Sequence, residues 1–553
     1  MRITNIPQLA RDANRAREIV TILAKYSLAD WISRLDLDFL RGVVMRFEGG
    51  QNQAQLTTDT RIRLALGELG TTFIKLGQML STRADLIGPE LAAELASLQS
   101  AAPADAPAVI RTAVETELKK PIAELFADFD DVPMASASIG QVHAARLHDG
   151  TRVVVKVQHP GIEAKVRSDL EILAGLADLA EKSLTELAQY RPRETVAEFR
   201  RMLLRELDFG REERNLQQFA ESFRNDPRVH FPKTYPDLST TRVLTMERLE
   251  GVPLSSPEQL RAAGHDLPEL AQRGATVFLD MIFRDGFYHA DPHPGNVLVL
   301  DGGLIGMLDC GMVGRLDDQL REDIEDLLMA VAQGNASQLT SVIQRVGSVP
   351  PRLDQNALSA DVTDFVTYYA GRPLSKLDLA AALSEMVGII RLYHILLPTP
   401  IALLLKVLVM LEGTARSLHP QFELIELIRP YQKQLIWRHL SPRRRLEKFR
   451  RLYTEWEHFG RLLPRTIVDI LQQLQTGRIE VHLEHKHLDS SINRLVFGII
   501  TSALFVGSAM LLATRVPPAP WDVSIPGAIG CTIALMQTLR LYWAFRKSGK
   551  FDQ

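Results

Sequence analysis

Asp291, Asn296 and Asp309 are the residues whose types and spacing point most directly to chemistry. The first two lie in His289-Ala290-Asp291-Pro292-His293-Pro294-Gly295-Asn296, and the third opens Asp309-Cys310-Gly311. Between them come Val297 to Leu300, then Asp301-Gly302-Gly303, then Leu304 to Met307. That pattern reads as two short apolar strands joined by a glycine turn. Such a hairpin returns the chain to its starting point, so both carboxylates and the amide gather at one end of a small sheet. Nucleotide-dependent phosphoryl transfer needs that set. One carboxylate faces the attacking group, while an asparagine and a second aspartate hold magnesium against the phosphates. Asp291 alone would fit an Asx turn equally well; the ordered set carries the reading.

Other elements must position these groups. Lys156 sits in Arg152-Val153-Val154-Val155-Lys156-Val157, the second of two β-branched strands around a turn at His148-Asp149-Gly150. Ahead of them runs Ala135-Ser136-Ala137-Ser138-Ile139-Gly140. In a kinase N-lobe, a glycine-rich loop here covers the phosphates and a strand lysine contacts them. Here Ala135 and Ala137 stand at the first two glycine positions, and only Gly140 remains. A Cβ confines the backbone to negative φ and crowds its approach, so nucleotide is expected to be held differently. The lysine needs an orienting carboxylate. Arg193 to about Phe223 reads as a long helical segment carrying Glu206, Asp208, Glu212 and Glu213, of which Glu212 is the expected partner. Val243 to Gly251 reads as a buried strand entering a hinge, where Met246, Glu247 and Leu249 would meet an adenine edge.

Composition sets the outer bounds. The chain has 553 residues, 46% hydrophobic and 24% charged, which describes a globular protein. A formal net charge of −3 speaks against nucleic acid as a partner. Cys310 and Cys531 have no evident disulfide relationship, as expected in a reducing compartment.

Ile6 to about Phe47 reads as amphipathic helix, packed on the chain's own core. Thr58 to about Leu98 reads as a second helical region, in which Lys75 and Gln78 lie one turn apart and could reach one site together. Ala101 to Pro107 has a linker's composition. Beyond Gly311 the pattern is helical to about Leu440, with Ile395 to Leu411 a buried core helix interrupted by Lys406. The stretch from Lys433 to Arg451 is basic with interleaved aromatics and suits anionic lipid headgroups or solvent. Ile479 to His487 alternates like a strand. Leu495 to Ala513 is an uncharged apolar run of 19 residues, enough to cross a hydrocarbon core. A second run, Ile525 to Phe545, follows a Pro-rich link, with Arg540 near enough its end to snorkel. Positive charge at both outer ends predicts a hairpin whose termini share the cytoplasmic face.

With these residues in view, the chain resembles the UbiB family of atypical, protein-kinase-like proteins. The likeness covers roughly Thr58 to Leu440. Lys75-Leu76-Gly77-Gln78 resembles the family's lysine-x-glycine-glutamine element, and Ala135 to Gly140 its alanine-rich loop. Lys156 matches the strand lysine, Glu206 and Asp208 the Glu-x-Asp element, and Glu212 the ion-pair glutamate. Asp291, Asn296 and Asp309 match the catalytic and metal positions. The resemblance implies an α+β, bilobal kinase-like fold with an N-terminal helical extension and a C-terminal two-helix transmembrane hairpin. The divisions expected are 1–57, 58–130, 131–250, 251–440, 441–488 and 489–553.

The resemblance also implies that the Lys75 element lies over the active site and obstructs a protein substrate. Expected ligands are ATP or ADP with Mg2+. Expected partners are the bilayer, a lipid quinone precursor and other quinone-biosynthesis proteins, at the bacterial inner membrane with the body on the cytoplasmic face. The function implied is an ATPase or small-molecule kinase supporting ubiquinone biosynthesis. A nucleotide-sensing scaffold and a protein kinase are the alternatives.

Overall fold

Lys156 owes its place to strand alternation. In the computed structural model, β1 (Asp128–Phe129), β2 (Ala135–Ser136), β3 (Gly140–Arg146), β4 (Arg152–Gln158) and β6 (Val243–Glu247) form one sheet, in the order β1-β3-β4-β6 with β2 on β3. Along β4, Val153, Val155 and Val157 point into one apolar cluster with Ile110, Val114, Phe126 and Phe129. Period two then turns Val154 and Lys156 to the opposite face, where Val154 joins the main core. The register pairs Lys156 with Val142 on one side and Leu244 on the other, so the lysine sits mid-sheet.

The structure describes residues 13–28, 56–98, 102–183, 190–370, 379–428, 430–431, 488–514, 516–518 and 523–547. They fall into two compact units, Met1–Arg444 and Arg445–Gln553. The basic stretch 433–451, the alternating stretch 479–487 and most of 1–57 lie outside the described residues.

In the first unit, α1 (Ala13–Lys25) buries Ile19 and Ile22 in the main core, joined by Tyr26 just past its end, as the apolar spacing predicts. Its Arg15 reaches Asp169 at 2.7 Å, and Thr72 donates to the same carboxylate at 2.6 Å. Asp169 is fully buried on α8 (Ile162–Ser183). One carboxylate thus ties α1, α8 and α3 (Thr71–Ser81) together. The region around α3 also holds α2 (Thr58–Leu69), α4 (Ala84–Ile87) and α5 (Pro89–Ala96). After α6 (Pro107–Leu118) and α7 (Ile122–Leu125) comes the sheet.

Two expectations need correction. The segment 193–223 is two helices, α9 (Pro192–Glu206) and α10 (Phe209–Ser222). Asp208 leaves the helical region at φ −94, ψ 92, and Phe209 N–H turns to the Thr241 carbonyl at 3.0 Å. The Gln158 side chain on β4 donates to the Leu207 carbonyl, so the sheet itself fixes the break. Nor do residues 102–107 behave as a free linker: Ala102 N–H donates to Ser136 O and Asp105 N–H to the Gln141 side chain.

Past β6 the chain forms β7 (Val252–Pro253), α11 (Pro257–Ala262), α12 (Leu267–Leu279) and β8 (Phe287–His289). The expected hairpin is present as β9 (Val297–Leu300) and β10 (Leu304–Met307), antiparallel from Leu300–Leu304 to Val297–Met307. Its turn places Gly302 and Gly303 at φ 73, a left-handed conformation open to glycine and costly for other residues. β10 also pairs with β5 (Val229–His230), and β11 (Val313–Arg315) pairs with β8. Helices α13 (Asp318–Ala332), α14 (Ala336–Val346), α15 (Gln355–Ala370), α16 (Leu379–Leu392) and α17 (Thr399–Leu418) follow. α17 buries Ile401, Leu404, Val407, Leu408 and Leu411, as a core helix should.

In the second unit, α18 (Leu488–Ala513) packs on α19 (Ile525–Lys547). The contact is close because Gly527 lacks a side chain; a Cβ there would meet the Ser508 carbonyl at 2.9 Å. Thr501 Oγ1 bonds Gln537 Oε1 at 3.2 Å across the pair. The other faces expose Phe497, Ile500, Phe505, Met510, Ile529 and Met536. Val496–Ala513 is long and apolar enough to span a bilayer, and Ile525–Leu539 is a shorter apolar stretch.

Candidate nucleotide site

Three charged side chains meet at the end of β4. Lys156 Nζ lies 2.7 Å from Glu212 Oε2 and 3.6 Å from Asp309 Oδ2, and 5.0 Å above the Phe209 ring. Glu212 comes from the first turn of α10, so the break at Asp208 aims it. Burial opposes charge on Lys156, but Asp309 and Glu212 outweigh it and hold the ammonium above the ordinary lysine range. Burial pushes the Glu212 carboxyl up to about 7, with Lys156 opposing and Asp309 assisting. Crowding by protein would raise Asp309 too. Lys156 and the Gly311 N–H, which donates to its Oδ1 at 2.8 Å, instead hold it below the usual carboxylate range. Asp309 is therefore the fixed negative charge and Lys156 the fixed positive one.

A buried histidine couples the two aspartate motifs, a link the sequence reading missed. His289 Nδ1 accepts from Asp291 N–H at 3.1 Å, and its Nε2 faces the Asp309 carbonyl. Those partners assign the proton to Nε2, which donates to Asp309 O. The hairpin adds a second link, because Leu308 N–H donates to the Asn296 carbonyl at 2.9 Å. Asn296 Nδ2 points at Asp291 Oδ2, 3.2 Å away, which leaves the amide oxygen as the end open to a ligand.

Among the described residues no cluster of three or more His, Cys, Asp or Glu side chains is built to hold a metal alone. The donors present are hard oxygens on Asn296 and an ionised Asp309. That set suits Mg2+, which binds through one or two protein oxygens and completes its shell with phosphate and water. Cys310, between Asp309 and Gly311, is fully buried and its thiol is pushed well up by burial, so it is an inert packing group.

The alanine-rich loop is a tight turn at the end of β2 and β3. Ala137 N–H donates to Gly140 O at 2.9 Å, and no residue from Ala135 to Gly140 has positive φ. Gly140 serves packing: a Cβ there would strike the Val157 carbonyl on β4. Three groups strap the loop from outside. Thr71 Oγ1 donates to Ser138 O at 2.9 Å, and Ala102 to Ser136. The His159 ring bridges Ala137 O at 2.8 Å and Asp105 Oδ2 at 2.7 Å. Neither His159 nor Asp105 was singled out from sequence. The hydroxyls of Ser136 and Ser138 are buried without a protein partner, donors that suit a phosphate-bearing ligand.

At the hinge, Met246 is buried and Leu249 packs near Gly306. The Glu247 carboxylate accepts from Lys233 N–H at 3.1 Å and lies 2.9 Å from His230, while its own N–H donates to Lys233 O. What Glu247 can offer a base edge is its carbonyl, not its side chain.

Lys75 and Gln78, which helical spacing would let reach one site together, have different partners here. Lys75 pairs with Glu206, whereas the Gln78 amide donates to Leu98 O at 3.1 Å. The Lys75–Glu206 pair lies near the other charges: Lys75 helps to lower Asp309, and Glu206 helps to raise Lys156 and Glu212. Asp208 faces Arg214 at 3.5 Å instead. A further cation, Lys406 on α17, stands 3.6 Å from Asp291 Oδ1, although by sequence alone it reads only as an interruption of an apolar helix.

Residues 97–343 match the ABC1 atypical kinase-like domain, 362–423 the UbiB helical domain, and 481–547 the ABC1/UbiB kinase-like C-terminal domain. A probable protein kinase UbiB from Shewanella halifaxensis is 33% identical over 547 residues, spanning 95% of this chain and 97% of its own. An uncharacterised protein from the hydrogenase 1 5′ region of Clostridium pasteurianum is 30% identical over 554 residues, spanning 97% and 99%. The solved complex of Rv3197 with erythromycin from Mycobacterium tuberculosis aligns at TM-score 0.43 and 23% identity, over 70% of this chain and 97% of that one.

Proposed function

The chain belongs to the UbiB family of atypical kinase-like proteins, and from that premise we propose that it is a membrane-anchored ATPase or small-molecule kinase supporting ubiquinone biosynthesis. It acts on, or mobilises, a lipid quinone precursor. The observation that supports this reading is the single cluster made by Lys156, Glu212, Asp309, Asp291 and Asn296, joined through His289. A scaffold that only sensed nucleotide would not need Asp291 held at the end of that chain of bonds.

Each side chain has a role in this reading. Lys156, oriented by Glu212, binds nucleotide phosphates. Asp309 and the Asn296 amide oxygen hold Mg2+, which would neutralise phosphate charge when bound. Asp291 faces the attacking water or hydroxyl, and the Glu247 carbonyl and Leu249 N–H receive the base. The Lys75 helix lies beside the charged cluster and narrows access, which favours a small acceptor over a protein. The α18–α19 hairpin is the membrane anchor, with the kinase-like body on the cytoplasmic face. Its exposed apolar side chains support the anchoring, and the sidedness rests on the positive charge at both outer ends of the hairpin.

The test is Mg-dependent ATP turnover by the full chain in lipid vesicles, with and without quinone-precursor analogues. Turnover should rise with lipid and precursor and vanish in Asp309→Asn. Nucleotide binding with no turnover under any condition would favour the scaffold. Truncation after Asp489 should release the protein from membranes; pelleting that persists in high salt would remove the hairpin as main anchor.

A further inference from the structure

Among the described residues, Lys406 is a third lysine at the site, ion-paired to Asp291 at 3.6 Å without a hydrogen bond to it. Lys156 is committed to Glu212 at 2.7 Å, and Lys75 pairs with Glu206. His293, two residues beyond Asp291, accepts from Gly295 N–H through Nδ1 at 3.1 Å and so caps its own turn. Lys406 Nζ stops 3.6 Å from Asp291 Oδ1, beyond hydrogen-bond range, with its side chain 21% exposed. Its three donors remain free for another acceptor in the same space.

The placement is fixed. Lys406 rises from α17 among buried Leu404, Val407 and Leu408. The entry to that helix is held at three points. Tyr288 OH donates to Pro400 O at 3.1 Å, Leu397 N–H to Asp85 Oδ2 at 3.3 Å, and Arg83 Nη2 to Leu397 O at 3.2 Å. Arg83 and Asp85 form a buried pair at 2.8 Å just past α3, and Tyr288 adjoins His289. The elements that set Asp291 therefore also set Lys406. An apolar helix holds a largely buried lysine beside Asp291 at a cost in desolvation and side-chain entropy. A charged ligand there repays it.

Resting on the nucleotide-site reading above, we propose that Lys406 binds the terminal phosphate of the bound nucleoside triphosphate, reaching it from the C-terminal helical region. Asp291 faces the group that attacks this phosphate, so an ammonium beside Asp291 lies at the transferred phosphoryl group. Lys156, on the sheet, serves the inner phosphates. The cleft then grips the nucleotide between two lysines, and Lys406 is the one that distinguishes a triphosphate from a diphosphate. The role is electrostatic and adds no covalent step.

The experiment is titration of ATP and ADP, each with Mg2+, against the full chain as native protein, Lys406→Gln and Lys406→Arg. Loss of a charge-assisted hydrogen bond predicts that Lys406→Gln weakens ATP by roughly tenfold or more while ADP stays within about twofold. Lys406→Arg should restore most of the difference, and retained ADP binding shows that the variant is folded. An unchanged ATP-to-ADP ratio in Lys406→Gln overturns the proposal. That holds even if turnover falls, since Lys406 would then only orient Asp291. If the native chain binds neither nucleotide, the underlying site reading fails, which is a separate outcome.

Discussion

Two lysine–glutamate pairs flank Asp309, and different regions of the molecule build them. Lys156 and Glu212 belong to the kinase-like sheet and the helix packed on it, with side chains 20% and 5% exposed. Lys75 comes from the helical region before that lobe and meets Glu206, with side chains 16% and 18% exposed. The two glutamates lie on either side of the break at Asp208, one closing α9 and the other in the first turn of α10. One short piece of chain thus hands a carboxylate to each lysine. The inner pair persists as long as the sheet does. The outer pair joins two regions and opens if α3 shifts. The inner pair sets the chemistry, and the outer one sets what can reach it.

The largest effect should come from the inner pair. Lys156→Ala removes the phosphate cation and leaves Glu212 buried beside Asp309. Nucleotide affinity should fall on the order of 100-fold, the scale expected for losing a charged hydrogen-bonded contact. Stability should fall by about 3–5 kcal/mol, because an unpaired buried carboxylate remains. Calorimetric titration and denaturant unfolding measure the two losses. Near-native affinity would show that the phosphates sit elsewhere.

Next comes the pH dependence of Glu212, whose carboxyl is raised to about 7 in the folded protein. Between its unfolded value and that one, the native state holds a proton that the unfolded chain has lost. The stabilisation is complete at the acid end and disappears as pH rises through about 7. Its full size is on the order of 3 kcal/mol. Melting temperature from pH 5 to 8 should therefore fall more steeply for the native chain than for Glu212→Gln. Parallel curves would show that Glu212 is ionised throughout.

The contrast between the pairs also marks what could be read from sequence. Lys156, Asp291, Asn296 and Asp309 were legible because strand alternation and hairpin closure are local rules, acting within a few residues. Glu212 is legible as the partner of Lys156 and pairs with it at 2.7 Å, but the break at Asp208 in the segment that carries it is not. The break depends on Thr241 and Gln158, neither of which a local pattern includes. Helical spacing lets Lys75 and Gln78 reach one site together, but the Gln78 amide donates to the Leu98 carbonyl. Lys406 and His289 escaped for the same reason: each acts on a group that only tertiary folding brings near. Asp105 escaped because the Ala- and Pro-rich composition around it resembles a linker.

Opening the outer pair is the third test. Lys75→Ala leaves Glu206 without its ammonium at a partly buried position, a loss of about 1–3 kcal/mol. The inner pair is untouched, so nucleotide affinity should change only a few-fold. Hydrogen exchange over Thr71–Ser81 should quicken, and nucleotide should associate faster. If affinity instead collapses as far as in Lys156→Ala, the two pairs form one unit and the division of labour fails.

The smallest effect is expected at Ala137, where the two regions touch through the loop. Glycine there would gain left-handed conformations that alanine lacks. The native turn uses none, since no residue from Ala135 to Gly140 has positive φ. The loop is also held from three sides, by Thr71, Ala102 and the His159–Asp105 bridge on the Ala137 carbonyl. Ala137→Gly should therefore cost about 1 kcal/mol or less, through the added freedom of the unfolded chain. The exposed Cβ is what changes at the phosphates, so the ATP-to-ADP preference should shift modestly and the fold should not. Titration of both nucleotides, with phosphate incorporation followed in parallel, measures it. If the variant gains autophosphorylation, the Cβ was suppressing in-line transfer to a protein hydroxyl. If nothing changes while Lys75→Ala unmasks that activity, the suppression belongs to the outer pair. Releasing the loop would then require His159→Ala as well, because the straps and not the Cβ would be holding it.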